Sequence, residues 1–170
     1  MKKLKKLTAV LLAAVMALAM LTACGGGGGS RSEKERYIAG INSYLGKRIT
    51  NFQKLTYDSD TDGALKDYRD VYEAMKVNHN EDEAKRLAKN AAYFDDVNYR
   101  VFQLEIDTKS KETEKINDVA DAILKGVKSS ELENNRWSVN YIWSKEETKK
   151  NKKMIYIVLH LEETLTGNAE

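Results

Sequence analysis

The stretch Met154-Ile-Tyr-Ile-Val-Leu-His-Leu161 decides the fold of this chain, because its residues are almost wholly apolar. A strand with one face in solvent alternates apolar and polar residues, whereas this stretch carries apolar side chains on both faces. We therefore expect Met154–Leu161 to be a strand that is central in a sheet or covered on both of its faces.

Two further strands are predicted upstream, where side-chain character alternates with a period of two. They cover Tyr99–Asp107 and Trp137–Ser144. The lysine-rich stretch Lys145–Lys153 joins the second of them to Met154–Leu161 as a hairpin loop, so these two strands should be antiparallel. In Trp137–Ser144 one face carries Trp137, Val139, Tyr141 and Trp143, and the other carries Ser138, Asn140 and Ile142.

Four helices are predicted where apolar residues recur at spacings of three and four. The first three are expected at Glu33–Tyr57, Ala64–Val77 and Asn80 to about Asp95, and the fourth begins near Ser110 or Thr113 and ends near Gly126. Asn80 should cap the third helix, with Glu83 at the reciprocal capping-box position.

These elements predict an α+β fold, in which three N-terminal helices are followed by a β-α-β-β unit that forms a small mixed sheet. The first two strands are expected to be parallel because a helix connects them. The helices should stack on one face of the sheet, as is usual for α+β domains.

The first 24 residues have the layout of a secretory signal. Four lysines within the first six residues precede an uncharged, apolar stretch from Leu7 to Ala23. The stretch ends in Leu21, Thr22, Ala23 and Cys24, which resembles the lipobox of bacterial lipoproteins. An uncleaved membrane helix with an incidental cysteine is the alternative, although the apolar stretch is shorter than the ~20 residues of a normal span.

The lipobox resemblance implies a diacylglycerol on the thiol of Cys24 and cleavage between Ala23 and Cys24. The protein would then be anchored by lipid to the extracytoplasmic face of the cell membrane. Residues 1–23 would be the signal peptide, residues 24–32 a flexible glycine-rich tether, and residues 33–170 a single domain. Gly25 and the glycine tract after it are more like a Gram-positive lipoprotein than a Gram-negative one.

Net charge argues against binding to nucleic acid. Removing the signal peptide takes away four of the 28 basic residues, so 24 basic residues face 26 acidic ones. Cys24 is the single cysteine, so the domain has no disulfide and must be held by packing.

The segment Asp58-Ser-Asp60-Thr-Asp62-Gly63 resembles the front half of an EF-hand-type or dockerin-type calcium loop. Acids at alternate positions converge on one ion, and the glycine permits the sharp turn. The segment departs from the pattern at its twelfth position, where Arg69 replaces the bidentate acid. The alternative, which we favour, is an acidic turn in which Asp60 or Asp62 caps the second helix.

No catalytic residue is predicted, because the chain lacks the usual metalloprotease, serine-hydrolase and nucleotide-binding motifs. His79 is expected to be a solvated turn residue, and His160 a half-buried residue on the last strand. The acid pairs Asp95-Asp96 and Glu162-Glu163 are poor general acid–base candidates, because sequence neighbours do not face each other on a helix or strand.

Two surfaces leave alternatives open. Trp137, Tyr141 and Trp143 form either part of the core, which is favoured, or an exposed platform for a partner. The loop Lys145–Lys153 is either a solvated hairpin tip or a patch for an anionic membrane or wall polymer.

The sequence therefore predicts a non-enzymatic surface module that binds a protein, a wall polymer or a small ligand. One alternative is a divergent enzyme with a site assembled from residues distant in sequence. The other is a weak calcium-binding module.

Overall fold

The computed structural model describes residues 29–89, 94 and 98–165, with side chains from residue 33 onward. The predicted signal segment, the lipobox Leu21–Cys24 and the acid pair Asp95-Asp96 lie outside the described residues. Of the predicted tether only residues 29–32 are described, and they belong to the first helix. The other boundaries proposed for signal peptide, tether and domain stay predictions. The architecture below is that of the unit Lys34–Glu170.

Five helices, four strands and one π-helical turn make up the described chain. The helices are α1 (Gly29–Leu45), α2 (Asp62–Tyr72), α3 (Glu81–Ala88), α4 (Glu112–Gly126) and α5 (Ser129–Asn134). The strands are β1 (Thr56–Tyr57), β2 (Tyr99–Asp107), β3 (Asn135–Trp143) and β4 (Lys152–Thr164), and the π-helical turn Glu73–Val77 continues α2.

The four strands form one sheet in the order β1-β3-β4-β2. Strand β1 is parallel to β3, whereas β4 is antiparallel to both of its neighbours, so the sheet is mixed. The predicted α+β class with a small mixed sheet is confirmed, as is the central position of the Met154–Leu161 stretch within β4. Strands β2 and β3 run in the same direction but do not pair, because β4 lies between them.

Helices cover both faces of the sheet, so the prediction that they stack on one face is wrong. The reason lies in β4, where Ile155, Ile157 and Leu159 pack on one side while Tyr156 and Val158 pack on the other. Helices α1, α4 and α5 cover the first side, and α2 covers the second through Leu65. All five of these β4 residues are buried, which requires a layer of chain on each face.

The first helix ends at Leu45 instead of continuing to Tyr57. Gly46 follows it, and the chain then turns back through Asn51, whose φ is 57°. The side chain of Asn42 holds the returning segment, because its amide bonds both the N–H and the C=O of Leu55 at 2.9 Å. Ile49 and Leu55 are buried as the apolar pattern requires, but they reach the core from a loop.

Helix α3 begins as predicted, with the Asn80 side chain accepting a hydrogen bond from the Glu83 N–H at 3.0 Å. The reciprocal half of the capping box is replaced by a bidentate pair between Glu83 and Arg86. The described helix ends at Ala88, and most of its predicted continuation to Asp95 lies outside the described residues.

The hydroxyl of Tyr37 gives a test of core packing. It is buried with no hydrogen-bond partner among the described residues, and burial raises the pKa of this phenol. We expect Tyr37→Phe to leave the free energy of unfolding unchanged or to raise it by up to about 1 kcal/mol, because no bond is lost. The matched control is Tyr44→Phe, which removes a 2.7 Å bond to Asp121 and should cost about 0.5–1.5 kcal/mol. Urea unfolding measures both, and a larger loss for Tyr37→Phe would contradict the unpaired hydroxyl.

Candidate functional site

The acidic loop between β1 and α2 is a tight turn fixed at the edge of the sheet. The Asp58 N–H donates to the carbonyl of Val139 on β3 at 3.2 Å, which continues the β1–β3 pairing. The Asp58 carboxylate accepts from the Asp60 N–H at 2.8 Å, and the Thr61 hydroxyl donates to the Asp58 carbonyl at 3.0 Å. Backbone and side-chain hydrogen bonds therefore fix the turn together.

The three carboxylates of this loop do not share one direction. Asp62 accepts hydrogen bonds from Lys34 at 2.7 Å, from Asn140 at 2.8 Å and from Tyr57 at 3.3 Å. Partial burial raises the pKa of Asp62, but these hydrogen bonds and the Lys34 ammonium outweigh it and hold the pKa below its usual value. Asp62 therefore belongs to a network that joins α1, α2 and β3, whereas Asp58 turns toward β4.

His160 on β4 meets Asp58 although 102 positions separate them in the sequence. Its Nδ1 lies 3.6 Å from Oδ2 of Asp58. Its ring stacks on Tyr99 of β2, with centroids 4.4 Å apart and planes inclined by 15°. Tyr99 and His160 are direct neighbours across β2 and β4, so the strand register sets this stack.

These residues line a cleft of about 440 Å³, which we call the Asp58–His160 cleft. Its volume is in the range of small-molecule sites. Acidic groups, two aromatic rings and one imidazole line it, and among the described residues no lysine or arginine does so. The lining residues are Asp58, Asp60, Thr61, Ala64, Phe94, Tyr99, His160 and Glu162.

A second cavity, of about 250 Å³, lies between the π-helical turn and the loop after β3. Two of its charged residues, Glu73 and Lys145, already have partners within the protein. Glu73 accepts from the Tyr156 hydroxyl at 3.4 Å and from the Lys145 N–H at 3.3 Å, and the Lys145 ammonium pairs with Asp70 at 3.1 Å. This cavity therefore reads as a structural junction, and the Asp58–His160 cleft is the better candidate site.

The aromatic face of β3 is core. Trp137 and Tyr141 are 2% and 4% exposed, and Trp143 is half-buried against the same cluster. Helices α1 and α5 lie over this face, so the alternative of an open binding platform at Trp137, Tyr141 and Trp143 is overturned by their burial. The indole N–H of Trp137 donates to the carbonyl of Glu131 on α5 at 3.1 Å, which satisfies its polar atom.

The remaining predicted residues lie apart from the cleft, with one exception. His79 is exposed in a turn with a φ of 51°. In the loop Lys145–Lys153 and at its edge, Lys145, Lys149 and Lys152 pair with Asp70, Glu105 and Asp107, as expected of a solvated hairpin. The exception is Glu162, which lines the cleft while its neighbour Glu163 pairs with Arg136.

No family model, curated protein or solved structure matches this chain. Among the described residues, no helix is both long and apolar enough to span a membrane. Over the same residues there is no group of three or more His, Cys, Asp or Glu side chains placed to hold a metal ion.

Sequence reasoning missed the residues that complete the cleft. Tyr99 and Phe94 carried no signal of their own, because Tyr99 stacks on a residue of a different strand, His160, and Phe94 packs on Tyr99. Glu162 was set aside as half of an adjacent acid pair, yet it lines the cleft while Glu163 pairs with Arg136. Strand alternation could not have placed it, because the register of β4 shifts here: Leu161 is opposite Trp137, and Glu163 is opposite Arg136.

Thermal unfolding of the protein tests whether the acidic loop binds calcium. We expect about 5 mM calcium chloride to leave the melting temperature unchanged, because Asp62 is committed to Lys34 and Asn140 and Arg69 stands where the bidentate acid would be. Magnesium chloride at the same concentration controls for ionic strength. A rise with calcium alone that Asp60→Asn abolishes would establish the calcium-binding alternative instead.

Proposed function

We propose that this protein is a lipid-anchored, extracytoplasmic binding module whose ligand site is the Asp58–His160 cleft. The anchor is Cys24, and the glycine tract after it holds the domain away from the membrane. In this proposal the domain consists of three N-terminal helices followed by a β-α-β-β unit. Two short elements are added to that order: β1 lies between the first two helices, and α5 lies just before β3.

The N-terminal sequence supports the anchoring part of this proposal. A basic segment, an uncharged apolar stretch and the lipobox Leu21–Cys24 follow one another in the order and spacing of bacterial lipoprotein precursors. The cysteine occurs once in the chain, at the position that lipidation requires.

The geometry of the Asp58–His160 cleft supports the part of the proposal that concerns ligand binding. It brings together side chains from the β1–α2 loop, from β2 and from β4, and its volume and mixed lining are those of small-ligand sites. Three carboxylates and two aromatic rings give it both charge and apolar surface. Asp60 and Glu162 form no ion pair among the described residues, in contrast to Asp70 and Glu163.

A divergent enzyme is the second candidate function, and the Asp58–His160 pair favours it. A carboxylate beside Nδ1 orients an imidazole so that its other nitrogen can accept a proton. The two candidates differ in one measurement. If the cleft is catalytic, His160→Gln abolishes turnover while ligand affinity stays within a few-fold. If the cleft only binds its ligand, neither the unmutated protein nor His160→Gln converts that ligand to a product.

The anchor is tested in cells by changing its cysteine. We expect mass spectrometry of the membrane-extracted protein to find a diacylglyceryl adduct on Cys24, and Cys24→Ala to accumulate as uncleaved precursor. Gly25→Ala is the matched control and should be processed normally. Protease added to intact cells or protoplasts should digest the domain. An unmodified Cys24 in the native host, or a domain protected from protease, would contradict the proposed anchoring.

A further inference from the structure

The Asp58–His160 cleft has an excess of negative charge that the described chain does not neutralise. The side chain of Asp60 is exposed, and it accepts no hydrogen bond and forms no ion pair among the described residues. The Glu162 carboxylate accepts a single long bond, from the Thr56 hydroxyl at 3.3 Å. Two carboxylates thus keep free oxygens, in contrast to Asp62 and Asp70, which are each bound by a lysine and a second donor.

The aromatic rings give the cleft a second property. Phe94 and Tyr99 both line it, with ring centroids 5.2 Å apart and planes inclined by 52°. Aromatic faces attract cations through their quadrupole, and they also bury the apolar groups of an organic ion. A bare metal ion would instead need several oxygens converging on one point, which the described residues do not provide.

From these observations we infer that the Asp58–His160 cleft binds an organic ammonium group, with the carboxylates of Asp60 and Glu162 facing the positive nitrogen and the rings of Phe94 and Tyr99 contacting its carbon substituents. This inference rests on the proposed function of the cleft as a ligand site. The ammonium group belongs to a small amine, to a choline-type headgroup or to a lysine side chain of a peptide.

Calorimetric titration of the full chain in detergent tests the inference. The probes are choline, its uncharged isostere 3,3-dimethyl-1-butanol, and Nα-acetyl-lysine amide. We expect at least one of the two cations to bind and the uncharged isostere to bind at least tenfold more weakly, because it lacks the charge that the carboxylates attract. Binding of choline would indicate a choline-type ligand, and binding of Nα-acetyl-lysine amide would indicate a lysine side chain of a peptide.

The variants locate the binding in the cleft. Glu162→Gln should weaken the affinity for the cation by about tenfold, since it removes one facing carboxylate. Glu163→Gln is the matched control: it removes the same charge from the next residue of β4, which pairs with Arg136 at 3.1 Å and does not line the cleft. We expect it to leave the affinity unchanged within twofold. Thermal unfolding of each variant checks that its fold is intact.

Three results would overturn the inference: no binding of either cation, equal binding of choline and its uncharged isostere, or equal losses for Glu162→Gln and Glu163→Gln. The first of these leaves the proposed function standing if other small molecules produce NMR shifts confined to the cleft residues. If no small molecule does so, the cleft itself fails as a ligand site.

Discussion

Replacing Trp137 with alanine is expected to lower the free energy of unfolding by about 3–5 kcal/mol. The side chain is 2% exposed in the main core, so its removal leaves a cavity between β3 and the helices that cover it. It also leaves the carbonyl of Glu131 without the indole donor at 3.1 Å. Because domains of this size are stable by only about 5–15 kcal/mol, much of the protein should unfold at moderate temperature.

Urea unfolding followed by circular dichroism measures this loss. The control is Met75→Ala, which truncates a large apolar side chain that is 49% exposed and should change the free energy by less than about 0.5 kcal/mol. A loss below about 1 kcal/mol for Trp137→Ala would mean that this aromatic face is not core.

Asn140 is the second position where we expect a large effect, because it is fully buried and all of its polar atoms are engaged. Its amide donates to the Thr61 hydroxyl at 3.0 Å and to Asp62 at 2.8 Å, and its carbonyl oxygen accepts from Lys34 at 2.9 Å. Asn140→Leu would leave these three groups without their partner. We expect a loss of about 2–3 kcal/mol, since unpaired groups bear the full cost of lost solvation.

Acid unfolding is an independent test of the hydrogen-bond network around Asn140 and Asp62. The pKa of Asp62 is lowered in the folded protein, so its stabilising contribution is present above the ordinary aspartate value of 3.8 and is lost as the pH falls through the lowered pKa. Asn140→Leu removes one of the donors that lower this pKa. Its acid unfolding midpoint should therefore move to higher pH than that of the parent protein.

The control for both measurements is Asn134→Leu, at an exposed position of α5, which should leave stability and acid midpoint nearly unchanged. If Asn140→Leu were as stable as this control at neutral pH, the polar network would have no role in holding α1 and α2 to the sheet.

Local pattern was sufficient for the three longer strands, but it missed β1 and failed at the end of α1. The period-two alternation of Tyr99–Asp107 predicted β2 with the observed bounds, because a strand's faces are fixed by its own geometry. The helical spacing of Ile49, Phe52 and Leu55 predicted a longer helix, because apolar residues that reach the core from a loop can mimic that spacing. The two bonds of Asn42 to Leu55, 13 residues away, decide in favour of the loop, and such a contact leaves no periodic trace.

The sequence by itself determined the three longer strands, the central place of β4, the α+β class and the burial favoured for the aromatic face of β3, since each follows from side-chain periodicity. It also supplied the proposal of a lipid anchor at Cys24. Only the tertiary structure decided that helices cover both faces of the sheet and that the acidic turn opens toward His160. The physical reason is distance along the chain: Asp58, Tyr99 and His160 meet because strand pairing brings β1, β2 and β4 into one sheet, and that register depends on the packing of the whole domain.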